Sequence, residues 1–434
     1  MSATEQGPQY VVPQPNLVPV HDYPGRMAAI PPSRMFLINK SLKTYLEHNP
    51  GGQVFDASQG DGGASLPGVP RAILDAAHEL QCRKGTAYDM PYGCDEFRTS
   101  VIEDYWKPNS GLGLGPANVL AGVGGRDILI KAYTAMLTLG AGRIGDVILT
   151  TRVPWISYNW GPYGIGGNVL LAPGDDRDGW AYTPESIAEC VRFAAATGRR
   201  IAGIVITCPD NPTGKTLTTE RQVSLGKAAL AAGVGYVLYD WMYHWVTDEA
   251  PMDVNTFLPQ FDAQERPRVM ILDGITKSLG ASNVRNSHLL ASEEIIKFIS
   301  GRASHAVIPS YHSQAVAIAA YREGFGRAAA PIIGPTNASR TLLNEFVAQR
   351  GLTAITGKGY YAFINVAPWL RAAGLPSSEA LGQRLAEQHG VAVVPGSFFS
   401  SFGDDWIRFS YATPPERTAG ALERLMHGLA ALES

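Results

Sequence analysis

The sequence predicts an α/β protein: a three-layer αβα domain on a mainly parallel sheet, with a smaller α+β domain. Two observations predict it. From Val119 short apolar runs alternate with helical patterns, and after His305 that alternation gives way to helices followed by two separate strand-like runs. The 434 residues are too many for one ordinary domain, and 45% hydrophobic content is ample for a large core.

Residues 1–31 are expected to form an arm, because Pro recurs there without any periodicity. Residues 32–55 carry a helix, Pro32 through His48, that joins the smaller domain. Its apolar positions Met35, Phe36, Ile38, Leu42 and Leu46 fall largely on one face. Residues 56–325 form the large domain. Val147-Ile148-Leu149, Ile204-Val205-Ile206, Val237-Leu238 and Val269-Met270-Ile271-Leu272 read as strands, with helices such as Glu185 to Thr197 and Glu220 to Ala232 between them. Continuous apolar runs of this kind belong to a parallel sheet covered on both faces. Residues 326–434 form the smaller domain, with strands expected at Tyr360 to Val366 and Trp406 to Tyr411.

Composition narrows the function. A net charge of −3 with interspersed acids and bases invites neither nucleic acid nor an anionic membrane. No stretch approaches the roughly 18 to 20 apolar residues of a membrane span. The N-terminus lacks the basic start and apolar run of a signal peptide. Cys82, Cys94, Cys190 and Cys208 form no CxxC pair, and no His/Cys cluster has metal spacing. They read as reduced thiols of a cytoplasmic protein.

Ligands of open α/β sheets gather at the carboxyl ends of the strands. Three such ends are polar here: Cys208 to Gly214 (Cys-Pro-Asp-Asn-Pro-Thr-Gly), Asp240 with Tyr243 three residues on, and Asp273 leading to Lys277. Singly they read as a turn, a helix cap and a solvated lysine. Together they bring an amine, an acid, a phenol and an amide to one crevice. A pyridine aldehyde cofactor needs that set: the amine for a Schiff base, the acid to keep the ring nitrogen protonated, and the phenol and amide for the ring hydroxyl.

The order and spacing resemble the class I/II aminotransferase family of fold type I enzymes, which use pyridoxal 5'-phosphate (PLP). The likeness runs from about Pro31 to the C-terminus. It implies that Lys277 carries the cofactor, that Asp240 pairs with the ring nitrogen, and that Asn211 and Tyr243 reach the ring hydroxyl, Asn211 also facing the substrate. Arg285, eight residues after Lys277, is implied on the phosphate. Gly124-Gly125-Arg126, ahead of a helix with the apolar face Ile128, Leu129, Ala132, Tyr133, Met136 and Leu137, matches the family's phosphate loop. Backbone amides and the helix dipole favour an anion at such a place. Trp155 matches the aromatic that stacks on the ring. Gly60 and Arg408 match the groups that meet the substrate carboxylate, for which a planar guanidinium is well shaped. Tyr88, in a segment like the family's Tyr-x4-Gly-x3-Leu-Arg, implies a homodimer in which it reaches the neighbouring site.

Two departures stand out. Gly274 replaces the usual Ser or Thr three residues before the lysine, where Thr276 is expected to compensate. Asn283 and Ser287 replace the glycines around Arg285, and imply a different backbone or added polar contacts. The resemblance implies an aminotransferase acting on small molecules, an amino acid and a 2-oxo acid, with Lys277 as the proton carrier. The alternatives on the same cofactor are elimination, cyclisation, decarboxylation or oxidation. A non-catalytic PLP-binding module, as in some regulators, is a third reading that the presence of Lys277, Asp240 and Arg408 disfavours.

Overall fold

A computed structural model describes residues 23–140 and 142–433. Most of the expected arm, residues 1–22, lies outside the described residues. The rest of it departs from an extended arm: Tyr23–Ala28 is a short helix. The buried Tyr23 packs with Tyr163 and Val169, and the Arg26 guanidinium lies 4.3 Å from the Tyr163 ring centroid.

The strands in chain order are β1 (Phe55–Asp56), β2 (Val119–Gly122), β3 (Val147–Thr150), β4 (Asn168–Leu171), β5 (Ile201–Thr207), β6 (Tyr236–Asp240), β7 (Val269–Asp273) and β8 (Ser287–Leu290), followed by β9 (Ala354–Ile355), β10 (Tyr361–Asn365), β11 (Val391–Ala392), β12 (Val394–Pro395) and β13 (Trp406–Ser410). Seven of them build the large sheet in the order β2-β8-β7-β6-β5-β3-β4. Only β8 runs against its neighbours. The mainly parallel sheet expected from the apolar runs is therefore present.

Both faces of this sheet are covered, and the period-2 alternation of a strand explains how. Val147 and Leu149, Ile204 and Ile206, and Val269 and Ile271 face one core, shared with helices Arg71–Lys84, Pro184–Ala196, Thr219–Ala231 and Tyr311–Glu323. Ile148, Val205, Leu238 and Met270 face the other, shared with helices Gly125–Thr138 and Glu293–Ala303. The result is a three-layer αβα arrangement.

A second, antiparallel sheet has the order β12-β13-β10-β9. Its core joins Ile364, Ile407 and Phe409 to Leu385 and to Leu422, Leu425 and Leu429 of the amphipathic helix Pro415–Ala430. The helix expected from Pro32 begins at Met35. Proline lacks the backbone donor and disfavours helix in the residue before it, so the Pro31-Pro32 pair stays outside. Its buried face is Ile38, Ser41, Leu42 and Tyr45. Phe36 and Leu46, expected on that face, are exposed. The helix packs beside Ser378–His389, where Ser41 donates to Glu387.

Candidate active site

A cavity of about 950 Å³ opens at the carboxyl ends of β5, β6 and β7. Its lining includes Gly60, Gly125, Arg126, Trp155, Asn211, Asp240, Tyr243, Thr276, Lys277, Arg285 and Arg408. Residues more than 300 positions apart meet here because the large sheet supplies the loops and the small sheet supplies Arg408 from β13. Gly124 stands just behind the wall and Tyr88 is elsewhere, 95% exposed.

Asp240 ends β6 with its carboxylate buried. It accepts hydrogen bonds from the Tyr158 hydroxyl at 2.7 Å and the Met242 amide at 3.1 Å. Burial outweighs these donors and pushes its pKa up to about 6. A cation placed against it would restore the carboxylate. Lys277 follows β7, and its Nζ donates to the Gly60 carbonyl. Its backbone carbonyl accepts from the Tyr360 hydroxyl at 2.6 Å. Burial lowers the Lys277 pKa and so favours the neutral amine, the nucleophilic form.

Arg126 and Arg285 face the same end of the cavity. Among the described residues neither forms an ion pair. Burial, and then the Arg285 cation, depress the Arg126 pKa. Two guanidiniums held together without a carboxylate fit an anion between them. The backbone serves the same end. Gly124 has φ +79°, which strains any residue with a side chain, and it stands against the Arg285 guanidinium. Arg285 itself takes the left-handed conformation, φ +59°. Its guanidinium donates to the Ser282 carbonyl at 2.7 Å and the Val123 carbonyl at 3.3 Å. The helix Gly125–Thr138 begins at this point, and its first two residues line the cavity.

Arg408 donates to Asn211 Oδ1 at 2.8 Å and to the Ser58 carbonyl at 3.0 Å, and its Nε is buried with no partner. Its guanidinium lies 4.2 Å from the Tyr361 ring centroid and 5.2 Å from that of Phe399. Sequence reasoning missed Tyr361, treating it only as part of a strand. It also missed Ser282 and the segment from Ile30 to Met35, which form part of the wall.

The departures have steric causes. A Cβ on Gly274 would meet the Ser287 Cα at 2.6 Å and the Asn286 carbonyl oxygen at 3.0 Å. Thr276 does line the cavity. Asn283, Asn286 and Ser287 are not among the cavity's lining residues; Asn286 and Ser287 are fully buried behind the loop. Arg285, between Asn283 and Ser287, takes a left-handed backbone, and neither neighbour lines the cavity.

A buried acid, a desolvated amine, a pair of cations at a helix N-terminus and an aromatic wall together fit PLP, and define an α/β enzyme of fold type I. Residues 54–425 match the aminotransferase class I and II family, and the chain belongs to it. It is a PLP-dependent aminotransferase. It is 28% identical to an aspartate aminotransferase of Geobacillus stearothermophilus over 363 residues, 82% of this chain and 87% of that one. It is 27% identical to the aspartate/prephenate aminotransferase of Thermus thermophilus over 360 residues, 82% and 86% of the two chains. Among solved structures, the Thermus thermophilus aspartate aminotransferase with maleate covers 93% of this chain, at 98% of its own length, with a TM-score of 0.76 and 24% identity. The aromatic aminotransferase of Pyrococcus horikoshii covers 90%, at 99% of its own length, with a TM-score of 0.74 and 22% identity.

Proposed function

We propose that Lys277 carries PLP, that Asp240, Tyr243 and Asn211 hold its ring, and that Arg408 binds the α-carboxylate of both an amino acid donor and a 2-oxo acid acceptor. The observation that carries this reading is the convergence of Lys277, Asp240 and Arg408 on one cavity. When bound, PLP supplies an electron sink for a carbanion at the substrate Cα.

The chain's own residues supply the rest. Asp240, paired with the pyridine nitrogen, keeps that nitrogen protonated. Trp155 would lie against the ring, and Gly125, Arg126, Thr276 and Arg285 would hold the phosphate. Arg408, flanked by Tyr361 and Phe399, holds the carboxylate with Gly60 beside it. With PLP held at this site, the buried Lys277 would serve as a neutral amine beside the substrate Cα. It would act there as general base and then general acid for the Cα proton. Its buried setting favours the neutral form this needs.

The active unit is a homodimer, with Tyr88 reaching the neighbouring site. Its 95% exposure on an otherwise folded chain supports that reading. The compartment is the cytoplasm, supported by four free cysteines. Among the described residues no helix is long and apolar enough to cross a membrane.

A donor amino acid supplied alone tests the reaction. It should change the bound cofactor's absorbance once, release about one 2-oxo acid per site and then stop, as ping-pong covalent catalysis requires. Adding a 2-oxo acid should restore the first spectrum. Continuous turnover without an acceptor would overturn the proposal.

A further inference from the structure

Tyr361 opens β10 and is 1% exposed, yet its hydroxyl lies in the active-site cavity. Three contacts converge on it. Its hydroxyl is 3.0 Å from the Tyr243 hydroxyl. A Cβ built on Gly60 would be 2.7 Å from the same oxygen and 4.0 Å from Lys277 Nζ, so the phenol and the amine approach one face of Gly60. The face of its ring lies under the Arg408 guanidinium at 4.2 Å. Tyrosine and phenylalanine rings seat an arginine equally well, but only tyrosine reaches Tyr243.

We infer that Tyr361 is a positioning residue with two separable roles: its hydroxyl donates to Tyr243 and so commits the Tyr243 proton to the cofactor's ring hydroxyl, while its ring seats Arg408 for the substrate carboxylate. The inference rests on the proposed placement of PLP. Tyr243 has one proton to donate. With a donor behind it, its oxygen is satisfied from the rear and its proton turns toward the ring oxygen. Hydrogen bonds in such a chain strengthen one another. A stronger donor at the ring oxygen stabilises that oxygen as an anion. It thereby makes the neighbouring nitrogen, which shares its proton with the ring oxygen, easier to deprotonate. Gly60 fits the same scheme, since any side chain there would displace the Tyr361 hydroxyl. The charged and titratable groups acting on Tyr243 include Arg408 and Tyr360, and those acting on Lys277 include Asp61, Arg408, Arg126 and Asp240. Tyr361→Phe leaves all of them in place.

The test is a spectrophotometric pH titration of the PLP-loaded protein, together with the affinity of a non-reactive carboxylate substrate analogue. In Tyr361→Phe the midpoint of the cofactor's absorbance change should rise by about 0.5 to 1 unit, the scale of one altered hydrogen bond. Affinity for the analogue should stay within about twofold, because the ring remains. Tyr361→Leu should raise the midpoint similarly and also weaken the analogue by about fivefold or more, having lost the ring. An unshifted midpoint in Tyr361→Phe, with normal wild-type loading, overturns the inference alone. The phenylalanine variant carries that decision even if the leucine variant does not fold. A wild-type protein that shows no cofactor absorbance with PLP overturns the site assignment and this inference with it.

Discussion

Gly274 and Ser287 touch backbone to backbone: a Cβ on Gly274 would lie 2.6 Å from the Ser287 Cα, closer than real side chains come. The contact joins the loop that carries Lys277 to the first residue of β8. A hydroxyl-bearing side chain at this position is therefore excluded by β8, and Thr276 and Ser282 are the hydroxyl side chains of this loop on the cavity wall.

Placing a hydroxyl there should harm the protein. Gly274→Ser has to displace backbone rather than a flexible side chain, so we expect a loss of about 1–3 kcal/mol. Thermal melts with and without PLP should both show it. An unchanged or raised Tm would show that β8 yields easily.

The elements that sequence revealed are those whose signal is local. The runs at β3, β5, β6 and β7 are continuous and apolar, and each is a strand. β8 gave no such signal because it opens with Ser287 and His288 in a fully buried position. His288 is accommodated as a neutral ring: it accepts from the Trp106 indole at 2.9 Å, and burial lowers its pKa to about 4. The same division holds in the site. Lys277 and Arg285 were found by their interval, and both line the cavity. Tyr361 was missed because its position depends on a strand of the other sheet docking over Gly60, which no spacing encodes. Tyr158 belongs to none of the motifs, and its bond to Asp240 spans 82 positions.

The buried Asp240 makes a prediction about pH. Without PLP its folded pKa is about 6 against 3.8 unfolded. Between those values the folded state binds more protons, so stability falls as pH rises through the window and the full cost is present above it. Asp240→Asn removes that cost. The cofactor-free variant should be more stable than wild type at pH 7.5, by on the order of 2–3 kcal/mol at most, and the advantage should vanish below about pH 4. The same variant loaded with PLP should lose about 10²–10³-fold in kcat, because the ring nitrogen loses its anionic partner. A pH-independent stability difference would contradict the burial argument.

Arg408 should show the signature of shared binding. Arg408→Ala leaves Asn211 and the Ser58 carbonyl without their donor and should weaken both amino acid and 2-oxo acid by about 2–5 kcal/mol. Arg408→Lys should recover little, since a point charge cannot span two carboxylate oxygens. Steady-state kinetics with each substrate varied in turn checks it. Loss for one substrate only would mean that the two carboxylates bind in different places.

The Tyr88 segment is anchored on both sides of its exposed aromatic: Asp89 pairs with Lys84 at 3.1 Å. The Tyr92 carbonyl accepts from the Ala121 amide at 2.9 Å, the Tyr92 ring lies under Arg98, and the Cys94 amide donates to Gln314 at 2.8 Å. This fixes the loop against β2 and helix Tyr311–Glu323, and leaves Tyr88 and Met90 exposed. A rigidly presented aromatic group is suited to a partner surface. In a twofold dimer each site would then combine one subunit's Lys277 with the other's Tyr88. Lys277→Ala and Tyr88→Ala proteins should each be impaired alone. Mixed and reassembled, about half the dimers would be hybrids, each with one intact site, giving about one quarter of wild-type activity. The arithmetic separates the two geometries. If Tyr88 served its own subunit, the hybrid's only lysine would belong to the Tyr88→Ala subunit and lack its tyrosine, so mixing would restore nothing. Absence of complementation, with hybrid formation shown by native mass spectrometry, would therefore refute the shared site.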